Sequence, residues 1–267
     1  MICARAGAGE DEGQSEEARR ARQLEKMKRS AAQYTISPAA DRRQRFKFHE
    51  SPALRWTNPV GGARDGTVFL WTDRGRPQAV LQLYTYDDDH FSHEWQSLAE
   101  GTLTAERAGE VAWDPDQPGI RFQELPDADA PAATGPARLR QMKSLAAKFS
   151  STFTGFAQSP TPVELRLLPQ PLFRYETADD PERFDGALFA FVQGTDPQGL
   201  LMLEARRDGA APRWHYGFAR MASGAVTARY GNREIFSVEK YDFSRDPRRP
   251  FLLLPRQPVP GSNEVEP

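Results

Sequence analysis

The chain has 267 residues, of which 39% are hydrophobic, and this length suits one large domain or two of ordinary size. Its net charge of −2 and its lack of a basic stripe interleaved with aromatic residues argue against a nucleic-acid partner. No apolar run approaches the roughly 18 residues that a transmembrane segment needs, and the single cysteine, Cys3, excludes a disulfide framework and a cysteine metal cage.

The first 15 residues read as a leader. Residues 1–9 are mostly small, Ala4-Arg5-Ala6 has the A-x-A form of a signal-peptidase site, and an acidic stretch follows, but the apolar centre of a signal peptide is missing. We expect a disordered leader over residues 1–15 and keep two interpretations open. It is the remnant of an export signal cut short by a late start codon, which predicts a periplasmic or otherwise exported protein, or it is an ordinary leader of a cytoplasmic protein.

Two predicted helices carry the same apolar stripe. Between Glu16 and Tyr34, and again between Pro136 and Ser150, apolar residues recur at helical spacing. The matching positions are 115 residues apart: Leu24 and Leu139, Met27 and Met142, Ala31 and Ala146, Tyr34 and Phe149. Agreement at one fixed offset indicates an internal repeat.

The segments after each helix also match, in the same order. The segment Leu54-Arg55-Trp56 corresponds to Phe173-Arg174-Tyr175 at an offset of 119, and residues 65–69 correspond to residues 185–189 at an offset of 120. Residues 98–105 correspond to residues 221–228 at an offset of 123. Alternating β-rich runs separated by Gly-containing turns predict antiparallel strands in both halves.

These matches predict an α+β fold built by tandem duplication. Each module has one N-terminal helix and an antiparallel sheet of about five strands, and the two modules pack as a pseudo-dimer, because so small a sheet leaves one face open. Module one spans residues 16–123 and module two spans residues 138–245. A Pro/Ala-rich linker covers residues 124–137, and the Pro-rich tail of residues 246–267 packs its apolar residues 251–254 onto module two without forming a new element.

An Arg–Asp pair recurs in both halves. Arg55 precedes Asp65, and Arg174 precedes Asp185, each arginine standing beside an aromatic residue. A position kept in both copies indicates a shared structural constraint, here an ion pair that fixes the crossing of two strands. The functional alternative is a pair of equivalent ligand sites.

One polar cluster occurs in the first half only. His93 and Glu94 follow three aspartates, Asp87 to Asp89, but neighbouring residues of a strand face opposite sides, so His93 and Glu94 cannot easily ligate one metal. The aspartates lack the glycine and the glutamate of a calcium loop. We therefore predict no metal site and no cofactor, and an exposed turn that leads into a half-buried strand.

Three segments resemble a family of exported bacterial proteins that is typical of planctomycetes. They are NPVGGARDGTVFLWTDRGRPQAV at residues 58–80, HEWQSLAEG at 93–101 and LLPQPLFRYE at 167–176. The resemblance covers nearly the whole chain and implies export with this architecture. It implies no activity and no catalytic residues.

The expected function is non-enzymatic binding or scaffolding in the cell envelope, through the sheet faces or the groove between the modules. The partner would be a protein or an envelope ligand, and an oligosaccharide or peptide lying on Trp71, Tyr84 and Trp95 would fit, although such aromatics are more often core. The alternative is a hydrolase or metal-dependent enzyme in module one, with His93 as base and Glu94 as acid.

Overall fold

The structure is a computed structural model, and it describes residues 7–58, 62–87, 90–155, 161–177, 180, 182–208 and 211–259. For residues 7–15 and 208 it describes the backbone alone. The predicted cleavage motif at residues 4–6, as well as Asp88 and Asp89, lies outside the described residues.

The described residues form two helices and 17 strands. In the first half these are α1 Gly7–Ala32, β1 Tyr34–Pro38, β2 Lys47–Asn58, β3 Ala63–Asp73, β4 Arg76–Thr85, β5 His90–Ser97, β6 Leu103–Arg107, β7 Glu110–Trp113 and β8 Gln123–Glu124. In the second half they are α2 Gly135–Ala146, β9 Phe149–Thr154, β10 Val163–Leu167, β11 Phe173–Tyr175, β12 Arg183–Gln193, β13 Asp196–Asp208, β14 Ala211–Arg220, β15 Ala225–Tyr230, β16 Arg233–Val238 and β17 Phe251–Pro258.

The strands make three sheets, and every recorded pairing is antiparallel. Two sheets are built mainly from the first half: β1-β6-β7, and β17-β5-β4-β3-β2, to which the second half contributes β17. The third is a nine-stranded sheet built mainly from the second half, in the order β16-β15-β9-β10-β12-β13-β14-β8 with β11 paired to β12, to which the first half contributes β8. The sheet-rich class predicted from the sequence is confirmed at this level. No helix of the described residues is long and apolar enough to cross a membrane.

Each helix lies against the sheet of its own half. Met27 and Ala31 of α1 are fully buried in a core with β3, β4 and β5, and Met142 and Ala146 of α2 occupy the corresponding core of the second half. The predicted first helix is too long at its C-terminal end, since Tyr34 already belongs to β1. At its other end α1 begins at Gly7, within the segment predicted as a leader.

A third core lies between the two large sheets. Along β3, Phe69 faces the helix-side core of the first half, whereas Val68 and Leu70 face the sheet of the other half. Leu188 and Leu200 of the second half lie in the same inter-sheet core. A strand that is buried on both faces needs a nearly continuous apolar run, which is what β3 and β12 contain.

The chain segments outside the predicted modules cover sheet edges. Strand β17 of the tail pairs with β5, opposing Leu252 to Trp95, and Leu252 is fully buried in the core of the first half. The prediction that the tail packs on module two without forming an element is therefore wrong, because the edge of β5 offers unpaired backbone groups and an apolar position for Leu252. Strand β8, at the start of the predicted linker, covers β14 of the second half in a similar way.

Candidate ligand cavity between the sheets

The first predicted Arg–Asp pair forms and ties a helix to its sheet. The guanidinium of Arg55 donates to both carboxylate oxygens of Asp65, at 3.0 Å and 2.6 Å, and Nη2 also donates to the backbone oxygen of Arg20 on α1 at 2.5 Å. Asp65 is fully buried. A buried carboxylate with a two-pronged arginine partner fixes geometry.

The second pair forms in the same manner, with one addition. Arg174 donates to both oxygens of Asp185, at 3.3 Å and 2.9 Å, and to the backbone oxygen of Gly135 at the start of α2 at 3.0 Å. Arg138 donates to Asp185 as well, at 2.5 Å. Each pair therefore joins two neighbouring strands and ties them to the helix of the same half.

Several candidate binding residues lie in the core of the first half. Trp71 is 1% exposed and Trp95 is fully buried, with their rings 5.3 Å apart. His93 is also fully buried, Tyr34 Oη lies 2.8 Å from its Nδ1, and burial lowers its pKa to about 3. A ligand cannot reach these three side chains, and a neutral histidine in this setting is a core residue.

Glu94 faces the other way, into the space between the two sheets. Its side chain lines a cavity of about 500 Å³, a size that suits a small ligand. The His93 and Glu94 side chains therefore do not converge, because the alternation of β5 sends them to opposite faces. Residues of both halves line the cavity, and the set includes Trp56, Asn58, Gln82, Tyr84, Tyr86, Glu94, Phe153, Val163, Asp196 and Gln198.

Two carboxyl groups from different halves meet at one amide in this cavity. Gln82 Nε2 donates to Glu94 Oε2 at 3.2 Å and to Asp196 Oδ1 at 3.1 Å. Asn58 Nδ2 donates to the other Asp196 oxygen at 2.9 Å. Because both carboxyl groups have an oxygen within 3.2 Å of the same nitrogen, Gln82 Nε2, they lie close to each other. The site exists only where the two sheets face each other.

Both carboxyl groups have raised pKa values. Burial raises the pKa of Glu94 well above its usual range, and the nearby Asp196 charge adds to this shift. Burial also raises the pKa of Asp196, to about 7. The positive charge of Arg220 opposes this rise in the pKa of Glu94. Its guanidinium, however, donates to the backbone oxygens of Ala222 and Gly224. Titratable groups in a cavity whose pKa values depart strongly from their usual range are typical of functional sites.

Aromatic rings line one side of the cavity. Tyr84 lies between Trp56 and Tyr86, with ring-centroid distances of 5.8 Å and 5.7 Å. Tyr86 is half exposed at the rim, whereas Trp56 is 3% exposed. Among the described residues, neither Trp56 Nε1 nor Gln82 Oε1 has a hydrogen-bond partner, although both atoms are buried. Buried polar groups without a hydrogen-bond partner carry a free-energy cost.

A second cavity of about 470 Å³ lies beside the tail, and two of the arginines that line it form ion pairs with aspartates. Arg248 pairs with Asp116 at 2.9 Å, and Arg249 pairs with Asp242 at 2.8 Å. Within the described residues, no group of three or more histidine, cysteine or acidic side chains is arranged to hold a metal ion.

Sequence reasoning found Glu94 and Tyr84 but missed Gln82, Asn58 and Asp196. One signal for Asp196 was present: in the predicted repeat it stands 120 positions after Arg76, so an arginine of one half is matched by an aspartate of the other. No protein-family model, curated protein or solved structure matched the chain.

Proposed function

We propose that the protein is a non-enzymatic binding protein that holds a small ligand in the cavity between its two sheets. The observation that carries the proposal is the meeting of Glu94 and Asp196 at Gln82, among residues of both halves that line one cavity. A location in the cell envelope belongs to the proposal and rests on the resemblance to exported proteins. Fractionation of the native cells would check that location.

We also propose that the two halves are a tandem duplication packed as a pseudo-dimer. Strand pairings support it, because the register recurs at the offsets seen in the sequence. Phe69 opposes Leu81, and the residues 120 positions later, Phe189 and Leu201, oppose each other. The pairing of β1 with β6 recurs likewise in that of β9 with β15.

Contacts between helix and sheet support the duplication independently of strand register. Arg55 and Arg174 each reach one backbone oxygen of the helix in their own half. Those oxygens belong to Arg20 and Gly135, which are 115 positions apart, the same offset as the helical stripes. Duplicated modules that pack face to face create two related spaces between their sheets, so one can change its chemistry while the other maintains the fold.

A thermal-shift screen tests the proposed binding. Purified protein is screened against sugars, peptides, nucleotides and small cations, since a ligand at 100 times its Kd stabilises by roughly 2.7 kcal/mol. Tyr86→Ala removes a ring at the cavity rim and should abolish the shift. Phe243→Ala is the matched control. Phe243 is 45% exposed and Tyr86 is 50% exposed. Each ring lies 5.7 Å from the ring of one buried or partly buried tyrosine, Tyr241 for Phe243 and Tyr84 for Tyr86. Equal ligand-induced shifts of the melting temperature in both variants would exclude the cavity as the binding site.

The second candidate is a hydrolase in the same cavity. It is favoured by the pair of close carboxyl groups, one of which keeps its proton and can act as a general acid. Here Asp196, rather than His93, would assist Glu94. Hydrolysis of nitrophenyl glycosides by the parent, lost in Glu94→Gln, would establish this function, whereas binding without turnover supports the first.

A further inference from the structure

The two ends of the space between the sheets differ in charge. At one end is the cavity. At the other, Arg76 from the first half enters the second half, where its Nε lies 2.7 Å from Glu204 Oε1. Tyr175 Oη donates to the same oxygen at 2.6 Å, and the Arg76 guanidinium lies 5.2 Å from the Phe122 ring centroid. Arg76 is 4% exposed, and Arg206 also pairs with Glu204, at 2.5 Å, so this end holds two arginines, one of them buried, among carboxylates and aromatic rings.

In the predicted repeat, residues of the cavity correspond to residues of the other end, but the cavity has no arginine at the position that matches Arg76. Asp196 stands 120 positions after Arg76, Glu204 stands 120 positions after Tyr84, and Tyr175 stands 119 positions after Trp56. Asp196 enters the first half, toward Asn58 and Gln82, as Arg76 enters the second. The cavity therefore has aromatic rings and two carboxyl groups, but an aspartate replaces the arginine that fills the other end.

We infer that the cavity binds a small organic cation with a guanidinium or primary ammonium group, which takes the place that the Arg76 side chain holds at the other end. This inference rests on the proposed binding function. The carboxyl groups of Glu94 and Asp196, which line the cavity, accept hydrogen bonds from the cation. Trp56, Tyr84 and Tyr86 offer ring faces to the alkyl part and to the charge.

The surrounding charges favour a cation over an anion. No arginine or lysine of the described residues forms a salt bridge with Glu94 or Asp196, and the Arg220 guanidinium donates to carbonyl oxygens. An anion would meet two carboxyl groups that form no salt bridge with an arginine or lysine of the described residues. Burial raises the pKa of both carboxyl groups, to about 7 for Asp196, and a bound cation favours their charged forms, so binding near pH 6 releases a proton.

Matched ligand pairs test the class of ligand. n-Butylguanidinium is compared with n-butylurea, and n-butylammonium with n-butanol, by calorimetric titration at pH 6 in two buffers of different ionisation enthalpy. The cations should bind at least about tenfold more tightly than their neutral partners, with a buffer-dependent heat that reports proton release. Glu94→Gln and Asp196→Asn should each weaken cation binding about tenfold, while Glu110→Gln, at an exposed position of β7, leaves it unchanged.

Other results distinguish a wrong ligand class from a failure of the proposed binding function. If cellobiose or another neutral compound binds and the cations do not, the cavity is a binding site but the ligand class is wrong. Equal affinity for n-butylguanidinium and n-butylurea also overturns the class. If no compound binds and Tyr86→Ala behaves as the parent in the thermal-shift screen, the proposed binding function itself fails.

Discussion

Glu94 and Asp196 stand on facing sheets, and their carboxyl oxygens accept hydrogen bonds from a single amide nitrogen, that of Gln82. Such a site destabilises the charged form of Glu94, because burial and the nearby Asp196 charge both raise the pKa of Glu94.

Glu94→Gln should stabilise the protein increasingly as the pH rises. The folded-state pKa of Glu94 lies above its unfolded value near 4.5, so the folded state holds a proton that the unfolded state has lost, and stability falls as the pH rises through this window. Glutamine cannot ionise and keeps an acceptor for Gln82. We expect variant and parent to be similar at pH 4 and the variant to be more stable by roughly 1–3 kcal/mol at pH 8. Urea unfolding at both pH values measures this, and an advantage that does not change with pH would contradict it.

His93 has the opposite pH dependence. Its folded-state pKa is about 3 against 6.5 when unfolded, so the unfolded state binds a proton first as the pH falls below 6.5. His93 should therefore cost the parent roughly 2–3 kcal/mol of stability between pH 7 and pH 4.5. His93→Gln removes this component, and its urea midpoint should change less over the same range. A parent and variant with parallel pH profiles would show that His93 is accessible to protons in the folded state.

The two Arg–Asp pairs should differ in their sensitivity to mutation. Arg55→Met leaves buried Asp65 without a cation among the described residues, which should cost about 3–5 kcal/mol. Arg174→Met leaves Asp185 paired with Arg138, so its cost should be about half as large. Chemical unfolding of the two variants compares these costs directly. A larger loss for Arg174→Met would contradict the compensating role of Arg138.

The tail strand should be part of the folded unit. Leu252→Ala removes a fully buried side chain from the core of the first half and should cost about 2–5 kcal/mol. Val111→Ala is the control, because Val111 is 49% exposed, and it should change stability by less than about 0.5 kcal/mol. Thermal or urea unfolding distinguishes them, and a Leu252→Ala variant as stable as the control would mean that β17 is dispensable.

Local patterns in the sequence anticipated much of the fold and part of the site. The stripe of Met27 and Ala31 predicted a helix, and alternation along β5 predicted that His93 and Glu94 face opposite sides, as the structure has them. The alternation of side chains along a strand does not show which of its two faces packs against another sheet. The cavity depends on long-range packing, since Gln82 and Asp196 are 114 positions apart and meet only because two sheets pack together.

The tail strand shows the same limit. Leu252 and its neighbours read as an apolar patch, and the residue type alone does not choose between the two modules. The choice depends on which sheet edge remains unpaired. Because β8 covers the edge at β14, the edge at β5 is the one that β17 completes.

The most direct test of the account follows the indole N–H resonances of the five tryptophans in two-dimensional NMR spectra. Trp56 lines the cavity, whereas Trp71, Trp95, Trp113 and Trp214 lie in the helix-side cores. Trp56→Phe assigns the reporter, and n-butylguanidinium and cellobiose serve as probes in separate titrations. A saturable shift of the Trp56 resonance alone is the predicted result. A binding probe that leaves Trp56 unmoved while another indole shifts, or a Trp56 resonance that no probe moves, would contradict a ligand site between the sheets.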